Sequence, residues 1–342
     1  MSTHTTVDAL VPNDPRVEHK FADVGGWTYH YILAMPQGTP TATVFLIHGW
    51  PDIGMGWRYQ VPYLLSLNMQ VVVPDMLGYG QTSAPYSAEE YTFKKMTAHI
   101  AQIVKQTTDQ PIILGGHDWG GIFVWRFTQY YPELVRGVFS VCVPFSSPLS
   151  ATIDLPTLVE KMPNFRYQLQ LASGKAEEIV GKSPERLRKF INAIYGGKTP
   201  DGKGAFTTDE GVVEANIDNI GQSPLMSEEM TDFYVQEFAR NGGIHAPCNW
   251  YRTRVLNSPD EIELAKTPFK FPMPAMLLMA DKDDALPTSM AANQHKHFAA
   301  GLKMDTLKDC SHWAMVQKPA KVNEHIGQFI KSVLGDEVKA VL

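Results

Sequence analysis

The segment "PIILGGHDWGG" (111–121) places one acidic residue, Asp118, among glycines directly after an apolar run. A strand that turns sharply into a helix holds the residue at the tip in a strained backbone conformation, and small residues on both sides prevent a collision. Gly116, Gly120 and Gly121 meet that requirement. A carboxylate at such a tip is either a helix N-cap or a nucleophile, and this segment alone leaves both interpretations open.

Partners for a nucleophile at this position occur later in the chain. The segment "DKDDALP" (281–287) contains three aspartates, and "CSHW" contains His312 just before the last predicted helix. The order nucleophile, acid, histidine is typical of one class of hydrolase, in which the histidine is a base and the acid orients it. The alternatives are a structural histidine in the core and carboxylates in solvated turns.

The elements that must position these residues are predicted from hydrophobic patterning. Helical periodicity is found at 93–106, 227–240 and 319–335. Strands that alternate with helices indicate an α/β fold with a mostly parallel sheet. After a polar N-terminal arm, apolar runs typical of buried strands occur at 27–34, 42–49, 69–76, 111–117, 137–144, 275–281 and 303–309.

The alternation of strands and helices stops between about 146 and 268, where the sequence has the pattern of helices and polar loops. We therefore predict a core domain formed by 1–145 and 269–342, with a helical cap domain of 146–268 inserted in it.

Composition excludes several classes of function. The net charge is −6 with no basic run, so we expect no nucleic-acid partner. The three cysteines are too scattered for a disulfide framework or a zinc site. No apolar run approaches the ~20 residues of a membrane span, and the N-terminus lacks the pattern of a signal peptide. We expect a soluble, cytoplasmic protein that is a monomer or a homodimer.

Four motifs occur in a fixed order: "HGWP" (48–51), "GGHDWGG" (115–121), "DKDDALP" (281–287) and "CSHW" (310–313). Together they resemble the epoxide hydrolases of the α/β-hydrolase family. The resemblance implies an α/β-hydrolase fold with a cap, and Asp118 as a nucleophile that forms an alkyl-enzyme ester. It implies that His312 activates the water that hydrolyses this ester, and that Asp283 orients His312, with Asp284 as the alternative acid.

The resemblance also implies roles for four aromatic residues. The backbone N–H groups of Trp50 and Trp119 would form the oxyanion hole, and their indoles would line the substrate pocket. Tyr167 in "NFRYQLQLA" and Tyr251 in "CNWYRT" would protonate the epoxide oxygen. The alternative for each tyrosine is a structural role in the core.

The expected substrates are a small apolar epoxide and water, with no cofactor and no metal. Haloalkane dehalogenases share the aspartate turn, so they are the first alternative, and the two cap tyrosines favour the epoxide hydrolase. The second alternative is a non-catalytic ligand-binding protein of the same fold.

Overall fold

The computed structural model of the chain describes residues 7–335. An eight-stranded sheet forms the centre of the core, and a separate two-stranded hairpin lies in the segment between β6 and β9. The strands are β1 (Glu18–Val24), β2 (Trp27–Ala34), β3 (Ala42–Ile47), β4 (Met69–Pro74), β5 (Ile112–His117), β6 (Val135–Val141), β7 (Phe206–Thr207), β8 (Gly211–Val212), β9 (Ala275–Ala280) and β10 (Leu302–Leu307).

The strand order in the large sheet is β1-β2-β4-β3-β5-β6-β9-β10. The first two strands run antiparallel to their neighbours, and the pairs from β4 to β10 are parallel. Because β3 and β5 are parallel neighbours, with Ile47 opposite Gly116, the segments that follow them leave the sheet side by side. This register brings the "HGWP" segment next to Asp118.

The predicted strands are all present, and their apolar composition explains their position. Every residue of β5 is buried, as expected for a strand covered by helices on both faces. The edge strand β1 differs, because exposed residues such as Glu18 and His19 outnumber the buried ones. The residues of β1 fall in the predicted polar N-terminal arm, whose first six residues lie outside the described part of the chain.

Helices cover the sheet and fill the segment between β6 and β9. The last of them begins at Pro319 and stops where Gly335 adopts a positive φ of 56°. The helices are α1 (Gln60–Ser66), α2 (Phe93–Thr107), α3 (Trp119–Tyr130), α4 (Leu155–Lys161), α5 (Tyr167–Ser173), α6 (Lys175–Val180), α7 (Pro184–Ile194), α8 (Glu214–Ile217), α9 (Glu228–Arg240), α10 (His245–Arg252), α11 (Arg254–Ala265), α12 (Ala314–Gln317) and α13 (Pro319–Leu334).

The segment between β6 and β9 contains α4 to α11 and the short β7–β8 hairpin. The predicted helix at 227–240 is present as α9, and the Ser227 hydroxyl caps it by accepting a hydrogen bond from the backbone N–H of Met230. The alternation of strands and helices is therefore replaced by a largely helical segment after β6. The domain boundaries at 146 and 268 stay a prediction. Across residues 7–335, none of the helices combines the length and the hydropathy that a bilayer crossing requires.

Candidate active site

Asp118 lies between the last residue of β5 and the first residue of α3, with φ 52° and ψ −127°. This positive φ is the strained geometry that the flanking glycines predict. A Cβ atom on Gly116 would lie 2.1 Å from the carbonyl oxygen of Gly120, and one on Gly120 would lie 2.2 Å from that of Ile47. Both positions therefore require glycine for the turn to form.

The side chain of Asp118 accepts no hydrogen bond from the second or third residue of α3, as an N-cap side chain would, so the N-cap interpretation is wrong. Its Oδ1 atom instead accepts a hydrogen bond of 2.7 Å from the backbone N–H of Trp50. The backbone N–H of Trp119 also acts as a donor that lowers the pKa of this carboxylate. Two backbone N–H donors thus face the carboxylate of Asp118 at the end of β5.

His312 connects this carboxylate to a second one. Its Nδ1 atom donates to Oδ2 of Asp283 at 2.7 Å, and its Nε2 atom lies 3.5 Å from Oδ2 of Asp118. The other oxygen of Asp283 accepts hydrogen bonds from the backbone N–H groups of Ala285 and Leu286. Asp284 is exposed, so the structure brings Asp283, and not Asp284, to His312.

The three charged groups shift one another's pKa values. Burial lowers the pKa of His312, but the nearby carboxylates of Asp283 and Asp118 more than offset this and raise it to about 9. Burial raises the pKa of Asp118, while the charge of His312 and the two N–H donors act in the opposite direction. Burial acts to raise the pKa of Asp283, but the charge of His312 and its hydrogen bond outweigh burial and lower the pKa. These shifts favour a charged His312 that faces the ionised Asp283.

Tyr167 begins α5 and Tyr251 lies in α10, and their ring centroids are 6.0 Å apart. The ring of Tyr251 packs edge-on against the indoles of Trp50 and Trp119, at 5.3 and 5.1 Å. Burial raises the pKa of both phenols, and the charge of Asp118 acts in the same direction. Both tyrosines therefore stay protonated at neutral pH and can donate hydrogen bonds.

A cavity of about 310 Å³ connects these groups. Its size falls at the lower end of the range for small-molecule sites. Its lining includes Asp118, His312, Asp283, Tyr167, Tyr251 and Trp50, but not Trp119. The structure thus brings six of the seven predicted site residues to one cavity, and Trp119 contributes its backbone N–H from the adjoining turn.

Sequence reasoning missed His117, which precedes Asp118. Its Nε2 atom donates to the backbone carbonyl oxygen of His312 at 2.8 Å, and the two imidazole rings lie 4.7 Å apart. Burial lowers the pKa of His117 to about 3, so this ring is neutral. The ring fixes the backbone of the His312 loop, and its position beside the nucleophile is the signal that could have identified it.

Sequence reasoning also missed a carboxylate that ties the segment between β6 and β9 to the core. Oδ1 of Asp52 accepts hydrogen bonds from the phenols of Tyr195 (3.0 Å) and Tyr234 (2.6 Å). The ring of Tyr195 also stacks on Trp313, next to His312, with centroids 4.0 Å apart. Because Asp52 follows Trp50 by two residues, this cluster joins the loop of the Trp50 N–H to the loop of His312.

The described residues contain one group of potential metal ligands, formed by His117, Cys142 and His312, whose ligand atoms lie within 4.8 Å of one another. His312 is already bound to Asp283 through Nδ1, and both His117 Nε2 and Cys142 Sγ donate to the His312 carbonyl oxygen. We therefore assign hydrogen-bonding roles to this group.

Comparison with known proteins agrees with this architecture. A family model described as alpha/beta hydrolase fold matches residues 42–177. Among solved structures, an epoxide hydrolase A from Mycobacterium thermoresistibile superposes with a TM-score of 0.76 at 24% identity, covering 92% of this chain and 98% of that one. An epoxide hydrolase from Vigna radiata gives a TM-score of 0.76 at 23% identity, covering 93% and 98%. At these identities the superpositions establish the fold.

Sequence relatives establish the family. The epoxide hydrolase srdG of Neurospora crassa is 46% identical over 340 residues, which cover 96% of this chain and 99% of the relative. The bifunctional epoxide hydrolase 2 of Rattus norvegicus is 29% identical, and the match covers 94% of this chain but 56% of that longer protein. From the near full-length match at 46% identity, we conclude that this chain belongs to the epoxide hydrolase family of the α/β-hydrolase fold.

Proposed function

We propose that this protein is an epoxide hydrolase, a hydrolase of ether bonds that adds water to an epoxide and releases a vicinal diol. The observation that carries the proposal is the position of Asp118, whose carboxylate lines the same cavity as the paired phenols of Tyr167 and Tyr251. A carboxylate nucleophile opposite two hydroxyl donors suits a substrate whose electrophilic carbon is bonded to the oxygen that must be protonated.

In the first step Oδ2 of Asp118 attacks an epoxide carbon and the C–O bond of the ring breaks. Oδ2 is the candidate because Oδ1 is held by the N–H of Trp50. The electrons of the broken bond go to the epoxide oxygen, which takes a proton from Tyr167 or Tyr251. An alkoxide is a far stronger base than a phenolate, since water has a pKa of ~15.7 and a tyrosine of ~10.

In the second step water hydrolyses the ester. Conversion of Asp118 to an ester removes a negative charge beside His312, so the pKa of His312 falls and the ring becomes a base. His312 takes a proton from water, and the hydroxide oxygen bonds to Cγ of Asp118. The negative charge develops on Oδ1, where the N–H groups of Trp50 and Trp119 stabilise it. The Cγ–Oδ2 bond then breaks as His312 returns its proton to Oδ2, and the diol leaves with Oδ2. The new carboxyl group of Asp118 releases its proton, and the phenol that gave up its proton in the first step takes one up again.

We propose that residues 146–268 form the cap domain, because α5 and α10 in this segment supply both tyrosines. The substrate is an apolar epoxide with an alkyl or aryl substituent, since aromatic rings of Trp50, Phe206, Tyr167 and Tyr251 surround the cavity. The paired phenols favour epoxides over haloalkanes, because a departing halide needs no proton donor.

The experiment is to incubate the protein separately with styrene oxide and with 1-chlorobutane, and to measure diol and chloride. We expect diol from the epoxide and no chloride above background. A second sample, the His312→Gln variant with styrene oxide, should accumulate a covalent adduct on the peptide that contains Asp118. Chloride release without diol would identify a dehalogenase, and saturable binding with neither product would identify a non-catalytic binding protein.

A further inference from the structure

Asp283 lies in the loop that follows β9. Its Oδ1 atom accepts hydrogen bonds from the backbone N–H groups of Ala285 at 3.0 Å and of Leu286 at 2.9 Å. This is the pattern of an aspartate that closes a turn on its own backbone. The side chain of Asp283 is fully buried. The direction of its Oδ2 atom toward His312 therefore depends on how firmly this loop is held.

The two parts of the loop are anchored by different segments of the chain. At its start, the backbone N–H groups of Asp281 and Lys282 donate to carbonyl oxygens in and just after β10. The later part contacts the segment between β6 and β9, because Nδ2 of Asn164 donates to the carbonyl oxygen of Ala285 at 2.7 Å. Only the amide nitrogen of an asparagine side chain can donate to a carbonyl, so this contact fixes the orientation of the Asn164 amide.

One peptide group connects Asn164 to Asp283. The carbonyl of Ala285 and the N–H of Leu286 belong to the same planar peptide unit. This unit accepts a hydrogen bond from Asn164 through its oxygen and donates one to Asp283 through its nitrogen. Asp283 in turn accepts the Nδ1 proton of His312 at 2.7 Å. These groups form a continuous chain of hydrogen bonds, in which each bond restrains and polarises the next.

We propose that Asn164 is a positioning residue for the second step of the reaction, because it fixes the peptide group that orients Asp283. The inference rests on the proposed function and adds a residue to it. Asn164 is not among the described residues that line the cavity of about 310 Å³, so it acts through the loop and not on the substrate. In ester hydrolysis His312 must keep the tautomer that leaves Nε2 free to take a proton from water, and a firmly held Asp283 enforces that tautomer.

The first step should be much less sensitive to Asn164. In the proposed reaction, alkylation uses Asp118 and the two phenols, and His312 is not yet a base. Tyr167 lies three residues after Asn164, but it has an anchor of its own, since its backbone N–H donates to the carbonyl oxygen of Thr208 at 2.9 Å. Loss of the Asn164 hydrogen bond should therefore separate the two steps, whereas a residue needed only for folding would affect both alike.

The test is a single turnover of styrene oxide, with formation and decay of the ester followed by rapid quench. Asn164→Leu should slow ester decay by roughly 3-fold to 10-fold, the effect of losing one neutral hydrogen bond, and should leave ester formation unchanged. Asn164→Gln keeps an amide donor and should retain part of the decay rate. The matched control is Asn241→Leu, which also removes an amide-to-carbonyl hydrogen bond, of 2.9 Å to Gly80. It should leave both rates unchanged.

A second measurement does not depend on turnover. The Nδ1 proton of His312 lies in a short hydrogen bond to a carboxylate, so it should give a proton NMR signal far downfield, assigned by its loss in His312→Gln. Asn164→Leu should move this signal upfield, because a less firmly held Asp283 makes a weaker bond. Unchanged ester decay, equal slowing of both steps, or an unmoved signal overturns the inference. If the signal moves as expected while the unaltered protein does not hydrolyse styrene oxide, the proposed function fails and the positioning of Asp283 by Asn164 stands.

Discussion

The Nε2 atom of His312 lies 3.5 Å from Oδ2 of Asp118, which is beyond the length of a good hydrogen bond but close enough for strong electrostatic coupling. This relationship makes the protonation of His312 depend on the chemical state of Asp118. In the proposed reaction the histidine is charged while Asp118 is a carboxylate, and it becomes a base once the carboxylate is esterified. The proposed two-step reaction thus changes the pKa of its own base.

The coupling predicts different pH dependences for the two half-reactions. The pKa of His312 is about 9 with Asp118 charged. Ester hydrolysis requires neutral His312, so its rate should rise with pH and level off at an apparent pKa below 9. Stopped-flow tryptophan fluorescence in single turnover measures both steps. An apparent pKa of 9 or more for ester hydrolysis would contradict the coupling.

The first step, in which the substrate alkylates Asp118, should be limited at low pH. It requires ionised Asp118, whose pKa burial raises above its ordinary value, so this rate should fall as the pH is lowered through that raised pKa. The phenols stay protonated well above neutral pH, so alkylation should not fall between pH 7 and 9. A loss of the alkylation rate over that interval would argue against Tyr167 and Tyr251 as the donors.

Asp283→Asn should lower kcat by about 10⁴-fold, because the amide can no longer hold His312 in the required tautomer or stabilise its charge. Asp284→Asn is the matched control, since Asp284 is exposed and should be replaceable without loss of activity. Steady-state hydrolysis of styrene oxide measures both variants. The assignment of the acid is wrong if the control loses activity and Asp283→Asn keeps it.

Tyr251→Phe should slow alkylation by about 10²-fold to 10⁴-fold, because it removes one of two proton donors without changing the size of the ring. The Tyr167→Phe/Tyr251→Phe double variant should lose more. Tyr86→Phe is a control, since 82% of the Tyr86 side chain is exposed. Rapid-quench measurement of the adduct separates this step from ester hydrolysis. Unchanged alkylation in the double variant would leave the two phenols without a catalytic role.

The contact between Asp52 and Tyr234 should contribute to stability. Tyr234→Phe removes a buried hydrogen bond of 2.6 Å to a carboxylate, and should lower the free energy of unfolding by about 1.5–3 kcal/mol. The exposed Tyr86→Phe should change it by less than ~0.5 kcal/mol. Urea denaturation followed by circular dichroism measures both. Equal midpoints for Tyr234→Phe and the unaltered protein would show that this contact is unimportant for folding.

The sequence predicts those parts of the fold whose conformation follows from the residue types of a short segment. The buried strands have continuous apolar runs, and the turn at Asp118 requires glycines that the sequence displays. Edge strand β1 was missed because one of its faces is solvated, and its composition therefore resembles that of a loop. Sequence also leaves Asp283 and Asp284 as alternatives, because the choice depends on which carboxylate the turn buries.

Contacts between distant segments were beyond prediction. Asp52 contacts Tyr195 and Tyr234, which both lie more than a hundred positions further along the chain. None of the three belongs to a pattern that implies a partner. The roles of the predicted site residues stay predictions that the experiments above test.

The central claim is that Asp118 bonds covalently to the substrate, and a single turnover in ¹⁸O-labelled water tests it most directly. With enzyme in excess over styrene oxide, the oxygen of water should enter the carboxylate of Asp118, and the diol should leave with an unlabelled oxygen from the enzyme. Mass spectrometry of the peptide containing Asp118 and of the diol measures both. Label in the diol and none in the peptide would mean that water attacks the epoxide directly, which contradicts the account.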